Sequence, residues 1–133
     1  MRLVLPVIAV LSLAGCASTD PYSFSYHEVE DQSRVLKEPS GDATLVVRRE
    51  PGLILGPVTH FATLDGEKIV ELEQGEQHAF HIQPGQYVVG SLCNTLFMPA
   101  FNETSLNAQP GKTYFYRIFS VGEQRCSIAP MTH

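Results

Sequence analysis

The segment VTHFATLDGEKIVELE, residues 58–73, decides the fold class of this chain. Apolar and polar residues alternate on both sides of Asp65-Gly66, a dipeptide that tolerates the positive φ angles of a type I′ turn. Two alternating runs joined in this way predict a β-hairpin, with strands over Val58–Leu64 and Glu67–Glu73. We therefore expect an all-β protein.

Further short strands lie on both sides of this hairpin, and turn residues such as Pro51-Gly52, Pro84-Gly85 and Pro110-Gly111 separate them. No run has the length and period of a substantial helix. Seven or eight such strands, joined as a meander, bury their faces most simply in a small antiparallel β-sandwich, predicted as one domain over residues 43–133. The strands are predicted at 43–49, 58–64, 67–73, 77–82, 87–93, 103–108, 113–119 and 124–129.

The first residues have the pattern of a bacterial lipoprotein signal. A single positive charge at Arg2 precedes an apolar run, Leu3–Leu13, that is too short to span a bilayer as a helix. The small pair Ala14-Gly15 then precedes Cys16, so residues 1–15 are predicted to be a signal peptide and Cys16 to be acylated. An ordinary signal peptide followed by an incidental cysteine remains the alternative. In a diderm bacterium, Ala17 after the cysteine indicates the outer membrane, with the protein facing the periplasm.

Residues 16–42 are predicted to be the acylated cysteine and a flexible tether. The segment is polar and contains Pro21, Pro39 and Gly41, and as a flexible chain it would span about 28 Å. A helix over His27–Lys37 would have only a thin apolar stripe. Tyr22, Phe24 and Tyr26 alternate with small polar residues. They are predicted either to lie on the protein's own surface as an edge strand or arm, or to contact a partner.

Two cysteines remain once Cys16 is acylated. Cys93 and Cys126 have only each other to pair with, and an oxidising compartment favours a disulfide between them. Two buried free thiols, or a redox pair, are the alternatives. A Cys-x-x-Cys spacing, typical of redox pairs, is absent from the sequence.

An apolar stretch, Leu96–Phe101, falls within the longest irregular part of the predicted domain. Exposed loops are normally polar, so something is expected to cover these residues. Either the stretch closes one end of the sandwich, or it forms an exposed contact patch. Phe97, Met98 and Phe101 are therefore candidate partner contacts, together with the three aromatic residues of the tether.

The charge of the chain limits its partners. Removal of the predicted signal peptide removes Arg2. The remaining chain has 14 acidic residues and 8 of the 9 basic ones, so its net charge is −6. Nucleic acid is excluded as a partner because no basic stripe is present to neutralise phosphates. The one basic pair, Arg48-Arg49, is interpreted as part of a solvated strand face.

No catalytic or metal-binding motif is found in the sequence. His78 and His81 are three apart in one strand, so they are expected to project from opposite faces, with His78 inside or at the rim and His81 exposed. His60 would be needed to complete a two-histidine site, and no spacing favours this. Neither a Gly-x-Ser-x-Gly elbow nor a His-Glu-x-x-His motif occurs. We predict no enzyme activity, no cofactor and no metal.

The turn and strand signals between Ala43 and Phe119 resemble those of the uncharacterised bacterial lipoprotein family called domain of unknown function 2846. That family is similar to the PEGA-type and transthyretin-like sandwiches, so the resemblance implies a fold and an envelope setting without a known activity. The cysteine pair and residues 122–133 are not part of the family pattern. The signals that carry the resemblance are Leu64-Asp65-Gly66, Ile69, Leu72, Gly75, Pro84-Gly85 and Pro110-Gly111-Lys112-Thr113-Tyr114.

These observations predict a non-enzymatic envelope lipoprotein. Its acyl anchor would hold it to the membrane, and its sandwich would dock onto another envelope protein, within a secretion, motility or transport assembly. The alternative is a free-standing, stress-linked lipoprotein that binds a small molecule or a peptide in an open pocket lined by the same aromatic residues that are candidate partner contacts.

Overall fold

The computed structural model describes residues 25–51, 59–94, 99–121 and 125–131, and within these ranges the protein is an all-β sandwich, as predicted. The only helical element in these ranges is a short 3₁₀ turn, Gln32–Arg34. Among the described residues, no helix has the length and apolar character needed to cross a membrane. The strands described are β1 (His27–Glu28), β2 (Ala43–Arg49), β3 (Thr59–Leu64), β4 (Glu67–Leu72), β5 (Glu76–Ile82), β6 (Gly85–Asn94), β7 (Pro99–Ala108), β8 (Thr113–Val121) and β9 (Arg125–Pro130).

The strands form two sheets with an order that departs from a meander. The first sheet has the order β1-β5-β2-β8-β9, and the second has the order β4-β3-β6-β7. The prediction of a meander is therefore wrong, because β5 leaves the hairpin's sheet to pair with β2 and β6 returns to it to pair with β3. Most neighbouring strands run antiparallel, as predicted. Two pairs are parallel: β2 with β8, and β1 with β5.

The β3–β4 hairpin has the predicted turn. Asp65 has a φ of 50° and Gly66 a φ of 81°, the two positive values that a type I′ turn requires. The Asp65 carboxylate also accepts a hydrogen bond from the backbone N–H of Val88 at 2.8 Å, which joins the turn to β6. The turn therefore fixes both the hairpin and its position beside the next strand of the same sheet.

The core lies between the inner faces of the two sheets. Ala43, Leu45 and Val47 of strand β2 point inward and are fully buried. Burial of apolar side chains of this kind contributes roughly 1.5–3 kcal/mol for each large one. The core also contains Val29, Ala62, Ile69, Val70, Leu72, Phe80, Ile82, Val89, Leu106, Ala108, Tyr116, Ile118 and Ile128.

A disulfide joins the two sheets at one corner of the sandwich. Cys93 in β6 is bonded to Cys126 in β9, with the Cα atoms 6.2 Å apart, as predicted. Beside it, the Asn102 side-chain oxygen on β7 accepts hydrogen bonds from the backbone N–H of Ile128 at 3.4 Å and the hydroxyl of Ser127 at 3.3 Å. The last strand of each sheet is thus linked to the other sheet by side chains.

Strand β7 begins earlier than the sequence indicates. It runs from Pro99, whereas a loose segment was predicted up to Asn102. Residues 99–102 pair in register with β6, from Asn94↔Pro99 to Ser91↔Asn102. A proline fits here because the first residue of a strand at a sheet edge has no need of a ladder N–H.

Residues 25–42, here called the N-terminal arm, lie against the sandwich. Val29 is only 3% exposed and belongs to the core, so the packed part of the chain begins before the predicted boundary at Ala43. Val35 forms a bridge with Val70, and the backbone N–H of Leu36 donates to the carbonyl of Ile69 at 2.8 Å. The arm therefore covers the corner between β5 and β4.

Several predicted features lie outside the described residues. These are the signal peptide, the lipidation site Cys16 and the contact candidates Tyr22, Phe24, Phe97 and Met98.

We expect Cys93→Ser to lower the melting temperature of the protein under oxidising conditions only. The two cysteines are 33 positions apart, and closing a loop of that length stabilises a fold by roughly 3–4 kcal/mol in the chain-entropy model. Thermal unfolding followed by circular dichroism, with and without reductant, measures the effect. Equal melting of the oxidised wild type and variant would show that the bond does not stabilise the fold.

Candidate functional site

The two described contact candidates lie on opposite sides of the sandwich. Tyr26 reaches the outer face of the first sheet, where its ring lies beside Arg48. Phe101 lies on the outer face of the second sheet and is 51% exposed. The predicted contact residues therefore belong to two separate surfaces, and each surface contains residues that the sequence analysis did not select.

The surface around Tyr26 consists of alternating arginine and aromatic side chains. The guanidinium carbon of Arg48 lies 4.9 Å from the ring centre of Tyr26 and 4.6 Å from that of Phe115. That of Arg117 lies 4.4 Å from the ring centre of Phe119. Each such contact stabilises by about 0.5–1 kcal/mol where solvent has access. We call Tyr26, Arg48, Phe115, Arg117 and Phe119 the arginine–aromatic surface.

Hydrogen bonds hold both guanidinium groups of this surface in place. Arg48 donates through Nε to the side-chain oxygen of Gln77 at 2.8 Å, and Arg117 donates through Nη1 to Glu50 at 2.6 Å. Burial, with the nearby charge of Glu50, raises the pKa of Tyr26, so its phenol stays protonated at neutral pH. The surface is a rigid arrangement of the residue types that are enriched at protein interfaces.

Apolar side chains form a row across the outer face of the second sheet. Phe61 on β3 pairs with Leu92 on β6, and Leu92 pairs with Phe101 on β7. The ammonium of Lys68 lies 4.4 Å from the ring centre of Phe61. We call Phe61, Leu92 and Phe101 the apolar row. Two-layer sandwiches normally present polar residues on such outer faces, so the row is a second candidate contact surface.

A buried polar cluster lies where the arm meets β4 and β5. Arg34 of the arm pairs with the buried carboxylate of Glu76, with Nη2 2.7 Å from Oε2. The hydrogen bond from Arg34 lowers the pKa of Glu76. The backbone N–H of Glu73 also donates to this carboxylate, at 2.7 Å. Because both charges are satisfied, the pair fixes the arm on the body, which is a structural role.

Arg49 and His60 extend this cluster into the core. Arg49 is only 5% exposed and donates to the carbonyl of Leu72 at 2.8 Å. The interpretation of Arg48-Arg49 as a solvated face is therefore wrong for Arg49, because neighbouring residues of a strand point to opposite faces. His60 is 2% exposed, and burial together with the charge of Arg49 lowers its pKa to about 4.

The two histidines of β5 lie as predicted. His78 is half-buried, with its ring edge-on to Phe80 at 4.7 Å and 3.3 Å from a carboxylate oxygen of Glu38. His81 is exposed on the opposite face. In the described part of the chain, no three histidine, cysteine or acidic side chains are grouped in a way that would hold a metal ion.

An open cleft of about 420 Å³ lies between the arm and the β3–β4 hairpin. Leu64 and Ile69 supply its apolar side, and Lys37 and Glu67 form an ion pair at its rim. Its described lining contains none of the aromatic residues that the ligand-binding alternative invoked.

Comparisons with protein-family models, curated proteins and solved structures find no match to this chain. The fold and these surfaces define the protein as a small, disulfide-linked β-sandwich, and the family resemblance remains a prediction.

We expect His60→Leu to reduce the pH dependence of stability. With the His60 pKa near 4, the unfolded chain takes up a proton around pH 6.5 that the folded chain does not bind. The free energy of unfolding of the wild type should therefore fall by about 2 kcal/mol between pH 7 and pH 5. This pH interval lies above the range in which carboxylates titrate. Urea unfolding at both pH values measures this loss.

The matched control is His81→Leu, which removes an exposed histidine and should leave the loss unchanged. An equal decline in wild type and His60→Leu would show that His60 does not carry the effect.

Proposed function

We propose that this protein is a non-enzymatic lipoprotein of the cell envelope whose sandwich docks onto another envelope protein. An acylated Cys16 would anchor it, in the outer membrane and facing the periplasm. The observation that supports docking is the arginine–aromatic surface, because its side chains are held in place before any partner arrives. Preorganised arginine and aromatic side chains lose little conformational entropy on binding, which favours affinity.

The position of Tyr26 connects this surface with the anchor. The ten residue steps from Cys16 to Tyr26 reach at most about 35 Å when fully extended. The arginine–aromatic surface would thus remain within that distance of the lipid. Confinement to the membrane raises the concentration of the protein near other anchored proteins, so a modest affinity suffices for docking. The partner is proposed to be a secretion, motility or transport component, and nucleic acid is excluded by the acidic charge.

The cleft supports the alternative function. Its volume lies within the range of about 300–1,000 Å³ that small-molecule sites occupy. In this alternative the protein is a free-standing, stress-linked lipoprotein, and the cleft beside Leu64 and Ile69 receives a small molecule or a peptide side chain.

We expect Cys16→Ser to release the protein from the membrane fraction without unfolding the sandwich. The substitution removes the thiol that carries the lipid and lies outside the residues that the structure describes. Membrane fractionation, with circular dichroism of the released protein, checks both parts. An unchanged membrane fraction would contradict the anchor.

We expect a photo-crosslinking residue at position 119 to capture one envelope protein in living cells. Phe119 lies in the arginine–aromatic surface, and the matched control position is His81, which is exposed on the outer face of the same sheet. The crosslink should be absent in the control and reduced in Cys16→Ser. Tyr26→Ala should weaken capture by about tenfold or more, as loss of an interface anchor does.

Equal capture at positions 119 and 81, or no loss with Tyr26→Ala, would contradict docking through this surface. If no protein is captured and a small molecule copurifies, the alternative function is supported.

A further inference from the structure

The outer face of the second sheet carries the apolar row, which is separate from the arginine–aromatic surface. We propose that this face binds a second copy of the same chain, with the two sheets face to face and a two-fold axis between them, parallel to the strands. The contact would consist of the apolar row and two charges beside it, Lys68 and Glu103.

The apolar row supplies the contact that excludes water. Phe101 is 51% exposed, Phe61 and Leu92 are half-buried, and the three are direct cross-strand neighbours. Beside the row, Gly90 has no side chain that would project from the face. A Cβ at Gly90 would lie 2.3 Å from the hydroxyl of Thr63, so no larger residue fits without displacing that neighbour. An apolar sheet face is suited to packing against another sheet.

Opposite charges lie at the two edges of the next cross-strand row. Lys68 on β4 pairs with Thr63, Thr63 pairs with Gly90, and Gly90 pairs with Glu103 on β7. Three strand spacings, about 14 Å, separate the edges. Lys68 and Glu103 do not pair with each other, and neither has an ion-pair partner among the described residues.

These charges select the symmetry of the pair. A two-fold axis parallel to the strands, between β3 and β6, places β4 of one copy opposite β7 of the other. Lys68 then faces Glu103 of the second copy on both sides of the dimer. In the row beside it, Phe61 faces Leu92, and Phe101 lies against Glu71, the β4 partner of Phe61. A two-fold axis across the strands would place each edge against the same edge of the second copy, so it would not bring the opposite charges together. The surface is therefore self-complementary in the isologous sense.

The small size of the face indicates a weak contact. Four strands about 4.8 Å apart and roughly 20 Å long offer a face of about 400 Å² per copy, half of what a standard interface buries. The dimer is therefore weak in solution and forms as the protein concentration approaches about 1 mM. Any confinement of the chain at a membrane would favour it further.

Zero-length crosslinking of the full chain tests the contact directly. A carbodiimide joins an amine to a carboxylate only where the two groups touch. A mixture of ¹⁴N- and ¹⁵N-labelled protein at about 1 mM should give Lys68–Glu103 linked peptides that combine both labels. Absence of the mixed-label link, or a link only within one chain, would overturn the proposal.

Charge reversal provides the second test. K68E and E103K should each lower the dimer association constant, measured by sedimentation equilibrium, by about tenfold, because each places like charges together. The double variant K68E/E103K should return to within about threefold of wild type. K112E, which reverses an exposed charge on the turn before β8, is the control and should change nothing.

Unchanged melting temperatures would confirm that each variant is folded. Failure of the double variant to recover association, or an equal effect of K112E, would overturn the proposal. Binding of a different protein at this face, with no self-association of the wild type, would also overturn it. None of these substitutions alters the arginine–aromatic surface, so the outcome is separate from that of the docking experiment.

Discussion

The stability of this sandwich depends on closing the two open corners between its sheets. Two stacked sheets bury their inner faces only if both corners are covered, and this chain uses a different device at each. The Cys93–Cys126 disulfide and the Asn102 side chain join β9 to the second sheet. At the other corner the N-terminal arm inserts Val29 into the core and is held by the Arg34–Glu76 ion pair. Both candidate surfaces lie on the outer faces of sheets whose stacking these two closures support.

Local signals made most strands predictable. β-Branched alternation and glycine or proline turns are short-range features, so the bounds of β2 and the Asp65-Gly66 turn follow from neighbouring residues alone. Strand pairing is a long-range property. Nothing near Ala43–Arg49 indicates that this strand pairs in parallel with Thr113–Val121, because that partner is selected by the burial of both sheets together. The arm is largely polar, so its sequence does not indicate that Val29 belongs to the core and that Val35 packs against it.

The candidate surfaces show the same limit. Tyr26 is a candidate because it belongs to an alternating aromatic and polar segment, and Phe101 because it belongs to an apolar stretch in an irregular segment. Their neighbours in space, however, come from cross-strand register. Neighbouring residues of a strand point to opposite faces, so the sequence of β2 is sufficient to predict that Arg48 and Arg49 differ in exposure. The interpretation of the two as one solvated basic pair did not use this alternation. No local motif marks Phe115 as a contact residue. It becomes part of a surface only because β8 lies beside β2, which brings its ring to the guanidinium of Arg48.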